Sequence, residues 1–285
     1  MEKNMGEVAV VDKAEELKLA ALLGANDIPQ KSAEYLPQLK VNSMRKDKQG
    51  RKVEEGLFYL NGMDEPVYAE KVRIRVLSQL FQWIHYDPEE NKVANKTLLI
   101  PNFRCEARDM KGGERCGKPP SKVLREMPKE EQKKFTDIKC FRQLRVLVSY
   151  EGKDADGNSV TVENEPAIML LKGSNFSPFE DEFIKAIPKG SNFYDYWCDV
   201  SAEELQNGSV TYYVMHFKPD MKKTLPIDQP TYDTMTHMAG LIKRENDMVE
   251  KSYQKSMREG QLDDDAIDAV SEVVGDDLSA DLEDA

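Results

Sequence analysis

The chain has 285 residues, four of them cysteine, and a formal net charge of −12. That length buries a core without staples. The irregularly spaced cysteines, no apolar leader after Met1 and no apolar run near the roughly 18 residues of a membrane span point to a reducing cytosol, against secretion and membrane insertion.

In chain order, residues 1–35 contain one helical stretch, "DKAEELKLAALLGAND", stopped by Gly24 and read as a peripheral arm. From Leu39 the pattern turns to strands: "LKVNSM", the turn "KDKQG", "EEGLFYLNG", the long alternating stretch "VRIRVLSQLFQWIHYD", the turn "DPEENK" and "VANKTLLI". "CEARDMKGGERCGKPP" is a basic loop or hairpin tip about Gly112 and Gly113, and "PKEEQKKF" a short helix. "CFRQLRVLVSYEG" and "SVTVENEPAIMLLKG" form a hairpin over the Asp156-Gly157 turn. "SPFEDEFIKAIPKG" reads as a capped helix, with Ser177 as cap, Pro178 first and Glu180 third, closed by Pro188. "SNFYDYWCDV" and "GSVTYYVMHFKP" are further strands, and a helical pattern runs from about Tyr232 to Met257. After Gly260 the chain is acidic and free of aromatics, the composition of a disordered tail.

Short strands, hairpin turns and inserted helices suit a mainly β fold, an OB-like barrel first and a sandwich second. The expected organisation is an arm at 1–35, the β domain at 36–225, a helix at 226–260 and a tail at 261–285.

The charge is unevenly placed. Ten acidic residues and no Lys or Arg lie between Asp263 and Ala285, which leaves −2 on everything before them. Leu36 to Ser149 instead holds 24 Lys and Arg against 16 Asp and Glu, so a basic body carries an acidic tail.

Nucleophile elbows, phosphate loops and H-E-x-x-H are missing, and three histidines give little for general-base work. Cys105 and Cys116 bracket the Gly-Gly loop at ten-residue separation, unlike the short pairs of a zinc site, and buried apolar cysteines are the favoured reading. Neither a metal nor another cofactor is expected.

The informative stretch is Val72 to Asp87. If extended throughout, Val72, Ile74, Val76, Leu80, Ile84 and Tyr86 form a core face, and Arg73, Arg75, Leu77, Phe81, Trp83 and His85 the opposite one. Cations that track phosphates and rings on which bases stack are what an unspecific single-strand binder needs. The competing readings are a helix or loop covering that face, or a bulge near Ser78 that swaps the faces partway. Arg104, Arg108, Lys111, Arg115 and Lys118 of the Gly-Gly loop would clamp a strand. Arg142 and Arg145 fall on opposite faces of their strand, so only one joins the Arg73 surface, and Arg145 is taken as the candidate. The tail, represented by Asp276, Asp277, Asp281, Glu283 and Asp284, mimics nucleic-acid charge and would compete for the groove.

In layout the chain resembles the single-stranded DNA-binding proteins of tailed bacteriophages, through "LPQLKVN", "FRCEARDMKGGERCGK", "PAIMLLKGS" and the acidic end "DDLSADLEDA". The resemblance implies an OB-fold that coats single strands in replication, recombination and repair within the host cytoplasm. It also implies a tail that contacts replication or recombination proteins; self-association is left open. Two features depart from it: the chain ends Leu282, Glu283, Asp284, Ala285 rather than in an aromatic, and it lacks the compact His/Cys cluster with which some relatives hold zinc. The alternatives are a regulatory or assembly protein that binds protein partners, and a small metal-dependent nuclease.

Overall fold

The computed structural model describes residues 36–47 and 50–259. The arm at 1–35 and the acidic tail, with Asp276, Asp277, Asp281, Glu283 and Asp284, lie outside the described residues.

The alternating segments form eight strands in one sheet: β1 (Gln38–Val41), β2 (Phe58–Asn61), β3 (Lys71–Asp87), β4 (Lys92–Lys96), β5 (Ile138–Lys153), β6 (Ser159–Leu171), β7 (Trp197–Asn207) and β8 (Val210–Asp220). The order is β2-β1-β6-β5-β3-β7-β8, with β4 also paired to β3. The fold is mainly β, a curled half-barrel sheet joined by one long helix, Gln229–Glu259. Single bridges from Phe58 to Ala69 and from Tyr68 to Lys153 bring β2 back toward the end of β5. Gly152 permits that approach, because a Cβ there would stand 2.4 Å from the Tyr68 carbonyl oxygen.

The main core lies on one face of the sheet, here the core face. Val72, Ile74 and Val76 of β3 meet Leu144, Val146 and Val148 of β5, Met169 and Leu171 of β6, and the rings of Phe179, Phe183 and Phe217. Each such side chain contributes on the order of 1.5–3 kcal/mol by leaving water. The opposite face, here the helix face, is covered by the long helix, whose Met238 packs on Leu77 and Leu147.

A β-bulge reorganises β3. Val76 pairs with Val146 and Ser78 with Arg145, so Leu77 is the extra residue and the side-chain alternation reverses across it. Before the bulge, Arg73 and Arg75 lie on the helix face. Beyond it, Phe81 and Trp83 pair with Arg142 and Cys140 on the core face, whereas Gln82 and Ile84 turn to the helix face. The continuous surface of Arg73, Arg75, Phe81 and Trp83 expected from strict alternation is therefore split between two sides of the sheet.

Other local expectations are corrected as well. The helical run begins upstream of Ser177, and Ser177 makes no cap; Asn175 binds the β8 backbone instead, accepting from Met215 N at 2.6 Å and donating to Tyr213 O at 3.0 Å. Glu182 accepts from Phe217 N at 2.7 Å, so side chains cap the outer edge of β8. Residues 193–195 form a 3₁₀ turn with an Asn192/Asp195 capping box, and the strand starts at Trp197. Among the described residues no helix is long and apolar enough to cross a membrane.

Candidate nucleic-acid interface

The helix face accounts for three of the arginines singled out from the sequence. Arg75 is 5% exposed, and its guanidinium donates to Tyr194 O at 2.8 Å, Pro226 O at 2.8 Å and Thr231 Oγ1 at 3.3 Å. It ties the start of the long helix to the sheet. Arg145 is buried 3.6 Å from Glu245. Burial lowers the pKa of both, an effect partly offset by nearby carboxylates, Glu245 in the case of Arg145. Arg73 is half-exposed but paired with Asp220 at 2.8 Å and Asp199 at 3.3 Å, 5.8 Å from the Trp197 ring centroid. Each of these guanidinium groups is paired with protein groups, although Arg145 Nη1 has no hydrogen-bond partner. Arg75 and Arg145, expected on an open binding surface, are thus buried under the long helix, whereas Arg73 meets solvent beside its two carboxylates.

The core face beyond the bulge carries a different assembly. The chain after β4 folds back along β3: Thr97 N donates to Trp83 O at 2.9 Å, and Phe81 and Ile100 exchange two backbone bonds of 2.7 and 2.9 Å. This carries residues 101–105 over Phe81. The ring of Phe103 stands 4.3 Å from that of Phe81 and 5.8 Å from that of Phe176, which arrives from the segment after β6. Phe81 is 5% exposed, so it is a buried support rather than an open platform; Phe103, at 45%, is the ring that meets solvent. Half-buried Trp83, Cys105 and Cys140 pack on the same cluster with Ile100 and Ala107.

Beneath the rings lies Arg142, its guanidinium carbon 4.7 Å from the Phe176 centroid, 5.2 Å from Phe179 and 5.3 Å from Phe81. One of its nitrogens donates to Glu180 at 2.9 Å. Arg142 lies on the face away from Arg73, so the sequence reading set it aside, yet it is the arginine that joins the aromatic residues.

The loop cations divide. Arg104, next to Phe103, and Lys111 are exposed. Arg108 is turned toward the long helix, paired with Glu106 at 2.8 Å and Glu250 at 3.5 Å and set 5.5 Å from the Tyr253 ring. Arg115 and Cys116 adopt left-handed φ of 52° and 54°, and the Cys116 thiol meets Trp83 O at 3.5 Å. Lys118 donates to Ile138 O. Burial pushes the thiol of Cys140, which pairs across from Trp83, up to about 12, against the pull of Arg142, Lys118 and Arg115. Such a thiol stays protonated and unreactive at neutral pH. Among the described residues no group of three or more His, Cys, Asp or Glu is placed to hold a metal ion.

The structure thus brings together Phe81, Trp83, Arg104, Arg115 and Lys118 and adds Phe103, Phe176 and Arg142. Arg73, Arg75, Arg108 and Arg145 belong to the helix side. The sequence did hold a signal for Phe103, an aromatic beside Arg104 at the entrance to a basic loop. Phe176 carried none, because its approach depends on a contact with a distant segment. Comparison of the chain with protein-family models, with curated proteins and with solved structures finds no match.

Proposed function

We propose that this protein is a non-enzymatic, sequence-independent binder of single-stranded DNA whose contact surface is the Phe81, Trp83, Phe103 and Phe176 cluster with its surrounding cations. The observation that carries this reading is the exposed Phe103 ring, held on buried rings beside Arg104, with Arg115 and Lys118 near Trp83. Bases stack on such a ring whatever their identity, and the cations follow the phosphates. An OB-type barrel is the matching architecture, supported by the hydrogen-bonded circuit through β1, β2, residues 67–69, β5 and β6.

The acidic tail fits the same reading. Ser256, near the end of the long helix, donates to Met110 O at 2.8 Å, so the helix that precedes the acidic segment in sequence ends beside the Gly-Gly loop. From there the tail competes with DNA for the cations and, when displaced, recruits replication or recombination proteins in a phage-type system in the host cytoplasm. Fluorescence anisotropy of labelled oligo-dT at two salt concentrations, with duplex competitor, tests the proposal. Salt-sensitive binding that survives the duplex is expected. No binding at low salt overturns it and favours a protein partner on Phe103.

A further inference from the structure

We infer that Arg115 grips the backbone of the bound strand, preset by a strained left-handed turn to take one phosphate beside Trp83. The inference rests on the single-strand reading of this surface and gives one of its cations a defined task. It starts from the backbone. Glu114 O accepts from Gly117 N at 2.9 Å, which closes a four-residue turn about Arg115 and Cys116. Arg115 has φ 52°, Cys116 has φ 54° and ψ 27°, and Gly117 follows at φ 84°. Positive φ at both central positions is the mark of a type I′ turn, which favours Asn-Gly there. In residues with a bulky side chain that conformation is costly, and it is met singly rather than in succession.

Such strain persists where the surroundings hold it or function needs it. Cys116 has a structural reason: its side chain is buried, and its thiol meets Trp83 O at 3.5 Å. The backbone beside it is fixed as well, since Arg115 N donates to Ala107 O at 2.9 Å and Lys118 N to Arg115 O at 3.0 Å. The Arg115 side chain has no such reason. It is half-buried, and among the described residues its guanidinium has neither a hydrogen bond nor an ion pair. Arg73, Arg75, Arg108, Arg142 and Arg145 all bind protein groups instead. An arginine therefore occupies a position that suits asparagine, next to the residue that meets Trp83. A guanidinium matches two oxygens of one phosphate at once, and fixing it beforehand lowers the entropy lost on binding. Every nucleotide carries that phosphate, so the contact positions the strand without reading its sequence.

The test is Arg115→Asn, which suits the left-handed position and removes the charge, measured by thermal melting and by oligo-dT titration across a salt series. The melting temperature should rise by about 2–4 °C as strain is relieved. Affinity should fall by about tenfold or more. The slope of log affinity against log salt should become shallower by about 0.7, the share of one phosphate on a single strand. Arg115→Lys keeps both the strain and the charge but loses the fork, so its melting temperature and salt slope should match the wild type while affinity falls. A melting temperature that stays or falls in Arg115→Asn shows that the arginine serves the fold and overturns the inference. A higher melting temperature with unchanged affinity and slope overturns the phosphate contact and leaves the single-strand reading standing, as does an equal loss of slope in Arg115→Lys. Failure of the wild type to bind oligo-dT overturns both.

Discussion

Replacing Glu245 by alanine is expected to destabilise the protein by about 3–5 kcal/mol, the cost of leaving buried charge without its partner. Glu245 Oε1 accepts from Lys96 Nζ at 2.8 Å and from Gln82 Nε2 at 2.9 Å, and Oε2 lies 3.6 Å from Arg145. The Lys96 side chain is 0% exposed. Burial alone pushes the Glu245 carboxyl up, yet Lys96, Gln82 and Arg145 outweigh it and the net shift is downward. The group is a carboxylate at neutral pH, and two buried cations depend on it. Urea denaturation of Glu245→Ala against wild type measures the effect; a loss below about 1 kcal/mol, the range of exposed pairs, would show that the ions are solvated. The consequence reaches the candidate site. The same helix holds the loop through Asn246, which accepts from Leu99 N at 2.7 Å, and through Ser256 on Met110 O. Loosening the helix should loosen the loop that presents Phe103.

Phe103→Ala separates function from folding. At 45% exposure the ring contributes little to the core, so the change in stability should stay below about 1 kcal/mol. Affinity for oligo-dT should fall by about 1–3 kcal/mol, the worth of one stacked base, or roughly five- to 150-fold. Parallel anisotropy titration and thermal melting read the two quantities. Unchanged affinity with an intact fold would remove Phe103 from the interface.

Much of the fold was legible because it depends on local pattern. Alternation marked β3 and β5, the Asp156-Gly157 turn with its left-handed glycine at φ 87° closed the β5–β6 hairpin, and a 3.6-residue pattern marked the long helix. What covered the arginine face was not legible, for a specific reason. The helix buries Thr231, Met238, Glu245, Val249 and Ser252, and three of the five are polar. A buried stripe made of hydrogen-bonding and charged groups looks like a solvated one. A bulge near Ser78 was among the competing readings, but the sequence could not decide for it: both sets of alternate residues in β3 are rich in large side chains, so reversing the alternation leaves each face plausible. Arg142 shows the cost of carrying strict alternation through such a stretch, since it was assigned away from the aromatic residues that surround it.

The most direct measurement uses the protein's two tryptophans as reporters on opposite faces. Trp83 packs in the Phe81 cluster on the core face, whereas Trp197 packs with Leu77 and Met238 under the long helix. Trp197→Phe leaves Trp83 as the sole emitter, and its fluorescence should be quenched on saturation with oligo-dT. Trp83→Phe leaves Trp197, whose emission should stay unchanged. Quenching confined to Trp197, or none in either protein while anisotropy reports binding, would contradict the placement of the single-strand site on the Phe103 side of the sheet.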